Sequence, residues 1–400
     1  MDLLSDALVA HPYDHYARLR DEAPVSRARL PNGAEAWQVC RYADARAVLA
    51  DRRFSRGAAA GAHLGTSDMF GPSMLTCDPP EHTRLRRVLS QAFSARRVER
   101  LRPWVQGIVD RLLDDLAGSA GEVDLVAGLA IPLPLTVICG LLGVAPEHGE
   151  RIRRWTPSMH TIPATEEERW QLTLQAQRLT RFVEQLVARR RAGRCPVEPP
   201  FPGGPDVLAT LLEAAGAGGL GEREVVGTIN LLLFAGQETV VTFIGNAVLA
   251  LLGNPGQLRL LRDRPWLLPA AVDELLRYDG PFQRSAFRVA TQDVDLGGAR
   301  IAAGDSVVVV LGSADRDPDR FPHPDRLDIA AGRGEGVAFG HGVHTCLGAH
   351  LARLESRLAI GALLARFPDL ELAVPPAAVR RGPRSLFVRG VEALPVRLVP

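Results

Sequence analysis

Lysine is missing altogether: the chain has 400 residues and 47 basic side chains, every one an arginine. The bias fits a high-GC bacterial source and dictates no chemistry. Excess charge is missing too. The formal net charge is +1, so no global field draws the protein to nucleic acid or a membrane surface. Cysteine is scarce and scattered. The five residues Cys40, Cys77, Cys139, Cys195 and Cys346 are odd in number, which argues against a disulfide framework and for a reducing compartment. The start, Met1-Asp2-Leu3-Leu4-Ser5-Asp6, has no basic region and no apolar core, so it does not read as a signal peptide. The longest apolar run is interrupted by Asn230, Gln237, Glu238 and Asn246. A carboxylate at a bilayer centre costs about 2.5–3.5 kcal/mol, so that run reads as a buried core helix and the protein as soluble and cytoplasmic. No Gly-x-Gly-x-x-Gly follows a strand pattern, so a flavin or nicotinamide fingerprint is lacking.

What is present is an ordinary globular composition, 46% apolar and 23% charged. One stretch stands out: Phe339-Gly340-His341-Gly342-Val343-His344-Thr345-Cys346-Leu347-Gly348-Ala349. Gly340 and Gly342 let the backbone turn tightly. Gly348 removes a side chain where a flat ligand would approach. From Ala349 onward Leu351, Leu354, Leu358, Ile360 and Leu363 recur at helical spacing. Cys346 therefore sits just before a helix N-terminus, where orphan N–H groups and the helix dipole favour a thiolate. Taken alone it is a free structural cysteine, or with His341 and His344 a zinc ligand. Structural zinc sites need a second pair of ligands at matching spacing, and none is found.

The whole pattern, Phe-Gly-x-Gly-x-His-x-Cys-x-Gly running into Leu351-Ala352-Arg353, resembles the haem-thiolate loop of the cytochrome P-450 family. The resemblance implies that Cys346 is the axial ligand of haem iron. It implies that Phe339 packs near the sulfur, that Gly340 and Gly348 shape the loop, and that His344 reaches a haem propionate. Three further segments match in family order. His82-Thr83-Arg84-Leu85-Arg86 resembles the segment whose His82 and Arg86 hold propionates, a task suited to arginine's bidentate fork. Read alone it is a solvated basic helix. Ala235-Gly236-Gln237-Glu238-Thr239 resembles the oxygen-activation motif, with Ala235 beside the haem and Glu238 and Thr239 delivering protons. Read alone it is a helix kink, with Thr239 bonding back to a carbonyl one turn earlier. Glu274-x-x-Arg277 matches the family's buried ion pair, which Arg326 would complete, and Arg288 matches a strand arginine on a propionate. Arg84, Arg87, Arg96 and Arg97 point outward as a patch for an acidic electron donor.

Along the chain, a helix is expected over 11–30, then strands near Val25 and Trp37 around a Pro31-Asn32-Gly33 turn. A loop spans 57–77, and its Met69, Phe70, Met74 and Leu75 serve equally as core anchors or substrate contacts. Helical patterns cover 98–117, 123–143 and 146–158, with a break at 156–163. Thr165 to Glu168 caps a helix running to Arg191. A proline-rich linker follows at 193–205. One long helix over 221–253, about 50 Å at 1.5 Å per residue, precedes strands at 285–289, 294–296 and 307–311. A β-rich end closes the chain over 369–399.

By the resemblance the fold is mainly α with a smaller β-rich region, a helical prism around a buried haem formed by one domain over residues 1–400. The activity is insertion of one oxygen atom from dioxygen into a hydrophobic small molecule, tailoring a polyketide, macrolide or terpenoid. Steroid, fatty-acid or xenobiotic hydroxylation and a non-catalytic haem-fold partner are the alternatives. The cofactor is haem b, iron protoporphyrin IX; the electron donors are a ferredoxin and its reductase; the protein is a monomer. The pocket wall draws on Met69, Phe70, Met74, Leu75, Met159, Leu232, Ala235, Phe282, Gln283 and Phe387.

Overall fold

The structure, a computed structural model, describes residues 11–57, 71–119, 121–156, 163, 165–194, 206–382 and 385–398. Met69, Phe70 and Met159 lie outside them, as do most of the 57–77 loop, most of the 156–163 break and the 195–205 part of the linker.

The described chain begins with α1 (Pro12–Glu22), β1 (Val25–Arg29), β2 (Glu35–Val39), α2 (Tyr42–Ala50) and β3 (Phe54–Ser55). The helix expected over 11–30 stops early, because Ala23 precedes Pro24 and leaves the helical region at φ −151°. The turn holds as read: Gly33 has φ +83°, and β1 pairs with β2 antiparallel from Val25 opposite Val39 to Arg29 opposite Glu35.

Helices α3 (Glu81–Ser90), α4 (Ala95–Glu99) and α5 (Arg102–Ala117) come next. After them stand β4 (Glu122–Asp124), a π-helical turn at Val126–Ala130, α6 (Pro132–Leu141) and α7 (Gly149–Trp155). The single helix expected over 123–143 is thus three pieces. Pro132 and Pro134 have no N–H to give, so the regular ladder fails just before them, and Gly128 there lies close against Leu116.

α8 (Glu166–Arg191) starts with the anticipated capping box: Thr165 Oγ1 accepts from Glu168 N–H at 3.2 Å, and Thr165 N–H donates back to Glu168 Oε2 at 3.3 Å. α9 (Val207–Gly216), α10 (Glu222–Ala235), α11 (Glu238–Leu252), α12 (Pro255–Asp263) and α13 (Leu268–Asp279) complete the helical body before the strands. The expected helix over 221–253 is interrupted at Gly236-Gln237. Gln237 has φ −116°, and a Cβ on Gly236 would sit 2.7 Å from the Leu232 carbonyl oxygen. Instead of continuing the ladder, Gln237 Nε2 donates to Leu233 O at 2.8 Å and to Thr156 Oγ1 at 2.9 Å. Glu222–Leu252 is apolar and long enough to cross a membrane, yet it is mostly buried inside the protein.

The rest comprises β5 (Arg288–Ala290), β6 (Val294–Leu296), β7 (Ala299–Ile301), β8 (Ser306–Val309), α14 (Leu311–Ala314) and α15 (Ala349–Arg366). The end holds β9 (Glu371–Leu372), β10 (Arg381–Gly382), β11 (Gly390–Val391) and β12 (Pro395–Arg397). The largest sheet runs β1-β2-β8-β5-β3, with β2 and β8 parallel and the other pairs antiparallel. β12 lies between β4 and β9, so the chain's end is stitched to the segment before α6. The molecule is mainly helical with a smaller β region. One apolar core joins α5, α6, α10, α11, α13 and α15, and a second lies on the large sheet. Val225 to Phe234 of α10 are all buried, so trimming one leucine there to alanine costs about 2–5 kcal/mol.

Candidate functional site

The loop before α15 is held by its own backbone. Cys346 N–H donates to Phe339 O at 2.8 Å, Gly340 N–H to Val337 O at 2.8 Å, and Thr345 N–H to Gly342 O at 3.1 Å. Gly340 and Gly342 take φ +72° and +75°, where side-chain-bearing residues are strained. Gly342 also packs against α2: a Cβ there would lie 2.7 Å from Leu49 O and 3.0 Å from Ala50 Cα. Gly348 has an ordinary φ of −83° and sits beside the sulfur, a Cβ on it falling 4.0 Å from Cys346 Sγ. Phe339 is half-buried under the Arg353 guanidinium, whose carbon lies 4.4 Å from the ring centre, and Arg353 Nε pairs with Asp273 at 2.7 Å.

Cys346 is solvent-accessible, although protein surrounds it. Burial pushes its thiol pKa up, against the Gly348 N–H and the positive charges of Arg86 and Arg353. The helix end pulls the thiol in the expected direction through the Gly348 N–H, but burial opposes it. A metal makes the thiolate, since a coordinating thiol is deprotonated outright. The zinc alternative finds no support: His341 turns to Arg46, 3.3 Å away, and His344 to His82, ring centres 4.3 Å apart. Among the described residues no three His, Cys, Asp or Glu side chains gather as metal ligands.

Around His344 the structure gathers His82 and Arg86 from α3, Arg288 from β5, and Arg56. His82 and Arg288 are buried. Three nitrogens here, His82 Nε2, His344 Nε2 and Arg288 Nε, are buried without any hydrogen-bond partner. Burial, then the positive charges of Arg56, His82, Arg288 and Arg86, push the His344 pKa down to about 2. Burial also lowers Arg288 to about 10 and Arg56 to about 9. Buried cations and orphaned donors are costly unless anions complete them. This donor set beside an accessible thiol fits a flat metal-bearing ligand with carboxylates on its edge, and haem is such a ligand. Arg56 escaped the sequence reading, since nothing in Phe54-Ser55-Arg56 marks it. Its Nε and Nη2 donate to Leu75 O at 3.1 and 2.6 Å.

At the break between α10 and α11, Thr239 Oγ1 donates to Ala235 O at 3.2 Å, the back-bond anticipated for a kink. Ala235 is exposed although the preceding turn is buried, and Glu238 and Thr239 are half-buried. Among the expected pocket residues, Met74 and Leu232 are buried in the helical core and Leu75 packs against it. Phe282 bridges Val388 antiparallel and Gln283 N–H donates to Phe387 O at 2.7 Å, so those segments meet. The Gln283 side chain is buried, Nε2 donating to Gly280 O at 3.1 Å, while Phe387 stands edge-on to Phe287 at 5.6 Å.

Two supporting readings need correction. Glu274 and Arg277 form the expected buried bidentate pair at 2.7 and 2.8 Å. The third member is Arg333, whose Nε lies 3.9 Å from Glu274. Arg326 has an exposed side chain and offers Arg277 only its carbonyl, at 3.5 Å. The chain turns so that the carbonyls of Pro324 and Arg326 face Arg277. Nor is Arg84 a free outward charge, since it pairs with Glu224 and donates to Gly219 O.

Comparison with known proteins agrees with this geometry. The family model described as Cytochrome P450 matches residues 165–376. The chain is 43% identical to the cytochrome P450 monooxygenase PikC of Streptomyces venezuelae, covering 98% of this chain and 92% of that one. It is 40% identical to the mycinamicin IV hydroxylase/epoxidase of Micromonospora griseorubida, over 95% and 94%. The tirandamycin C-bound structure of the P450 monooxygenase TamI superposes with a TM-score of 0.89 at 36% identity, covering all of both chains.

Proposed function

Because this chain belongs to the cytochrome P450 family and is a haem-iron monooxygenase, we propose that it oxidises a macrolide or another hydrophobic polyketide of secondary metabolism. The relatives named for mycinamicin IV and tirandamycin C support that substrate class. Hydroxylation and epoxidation are the reactions expected. Bound haem, taken as haem b, supplies dioxygen activation and transfer of a single oxygen atom, using electrons from a redox partner. A ferredoxin with its reductase is the partner we assign, and the working unit is a cytoplasmic monomer of one domain over residues 1–400.

The protein's own residues divide the remaining work. Cys346 Sγ would ligate the iron, and Gly340, Gly342 and Gly348 give the loop the shape that presents it. Arg86 and Arg288 would pair with the propionate charges, and the neutral imidazoles of His82 and His344 would donate hydrogen bonds to them. Ala235 leaves room at the helix break. Thr239 Oγ1 holds a proton in its hydrogen bond to Ala235 O, and Glu238 relays protons to it from solvent. The apolar side chains of Met69, Phe70, Met74, Leu75, Met159, Leu232, Phe282 and Phe387, with Gln283, orient the substrate and exclude water.

The observation that carries this reading is the set of partnerless buried nitrogens, His82 Nε2, His344 Nε2 and Arg288 Nε, beside an accessible Cys346. The test titrates haem-loaded protein with macrolide and polyketide intermediates and follows the haem spin state, then runs turnover with ferredoxin and reductase. A spin-state shift and an oxygenated product are expected. Shifts with steroids or fatty acids but none with polyketides would reassign the substrate class.

A further inference from the structure

We propose that the groove between α7 and α8 docks an acidic amphipathic helix of a protein partner. The groove holds a cavity of about 310 Å³ and beside it a second of about 300 Å³, both lined by Arg151, Trp155 and Arg178. Along α8 its wall is one stripe, Gln175, Arg178, Phe182 and Arg189. That stripe is about 21 Å long at 1.5 Å per residue. The floor is aromatic: Phe182 lies 6.0 Å from Trp155 and 5.2 Å from His148, ring centre to ring centre.

Charge distinguishes this face from the rest of the same helices. Outside the groove, Arg153, Arg190 and Arg191 of these helices have carboxylate partners, Glu150, Asp206 and Glu222, and Arg169 alone has no ion pair among the described residues. Arg151, Arg154, Arg178, Arg181 and Arg189 line the groove, and among the described residues none of them forms an ion pair. Arg151 instead lies over the Trp155 ring at 5.5 Å. Glu147 is the lone carboxylate on the wall.

A small-molecule site normally encloses roughly 70–90% of its ligand, whereas here the arginines stand exposed along an open trough. Its shape suits a rod of helix whose apolar stripe meets Trp155 and Phe182 while acidic flanks meet the two arginine walls. A partner seated there spans α7 and α8 and uses none of the residues assigned to haem.

The test uses full-length, haem-loaded protein and a capped helical peptide of about 16 residues. The peptide carries leucines at i, i+3, i+4 and i+7, flanking glutamates and a neutral fluorophore, and binding is read by anisotropy at low and physiological salt. The double variant Arg178→Glu, Arg181→Glu should weaken binding at least about tenfold. Arg223→Glu, an exposed reversal on α10, should change it less than about twofold. A lysine version of the peptide should recover binding to the double variant. The proposal is overturned if Arg223→Glu weakens binding equally, or if a proline-broken peptide of the same charge binds as well. It is also overturned if 1-naphthoate occupies the groove and the helix does not.

Discussion

At Gly342 one missing methyl group decides whether the cysteine loop can close. A side chain there meets Leu49 O at 2.7 Å and must hold φ +75°, a conformation costing of order 1–3 kcal/mol. Gly342→Ala is therefore expected to lower the melting temperature and speed haem loss to a scavenging apoglobin. If the Thr239 hydroxyl delivers protons as proposed, Thr239→Ala should keep substrate binding but uncouple: electrons are consumed, peroxide appears and product falls. Equal coupling in the variant would contradict the proton role. Single residues were legible in the sequence where backbone geometry or a motif's fixed spacing constrained them, as at Gly340, Gly342 and the Thr239 back-bond. Arg56 was not, because its place among His344 and Arg288 comes from tertiary folding. Helix position marked the Gly348 N–H that favours the Cys346 thiolate, but not the opposing effect of the surrounding protein, which tertiary folding sets.

At the level of elements, a buried pair on α13 braces the chain ahead of the cysteine loop, Arg277 donating to Asp315 O at 3.0 Å and Pro324 O at 2.8 Å. Arg277 and Glu274 are almost fully enclosed, and breaking such a pair costs about 3–5 kcal/mol by leaving one charge uncompensated. Arg277→Ala should thus fail to retain haem or fold poorly. Arg326→Ala, removing an exposed side chain, should stay within about 0.5 kcal/mol of the parent in chemical denaturation. Arg333→Ala should fall between them. A strong effect of Arg326 alone would restore the sequence's choice of partner. Helices with an uninterrupted apolar period, α15 above all, were legible to the residue. The break in Glu222–Leu252 was legible only as a kink at residues 235–239, its full division depending on Gly236 approaching Leu232 O and Ile138. The pieces around Val126 were not legible, because they depend on prolines downstream.

Across the whole molecule, Asp279 gathers distant segments. Its carboxylate accepts from Tyr13 Oη at 2.6 Å and Arg389 at 2.7 Å and pairs with Arg381 at 3.2 Å, joining α1, α13 and the C-terminal strands. Burial pushes its pKa up, but Arg389, Arg381, the Tyr13 hydrogen bond and Arg316 outweigh it and hold the carboxyl below its ordinary 3.8. A depressed acid stabilises the fold above the unfolded value and loses that contribution as pH falls through the folded value. Asp279→Asn should cost about 3–5 kcal/mol at neutral pH, and the gap from the parent should close below about pH 3.8. No local sequence pattern marks such a node, whose members lie hundreds of residues apart. The central claim remains a sulfur beneath an iron porphyrin, and the absorption spectrum of the reduced protein under carbon monoxide tests it most directly. A thiolate-type band that disappears in Cys346→Ser is the result expected; a histidine-type band in the parent, or a thiolate band surviving in Cys346→Ser, would contradict it.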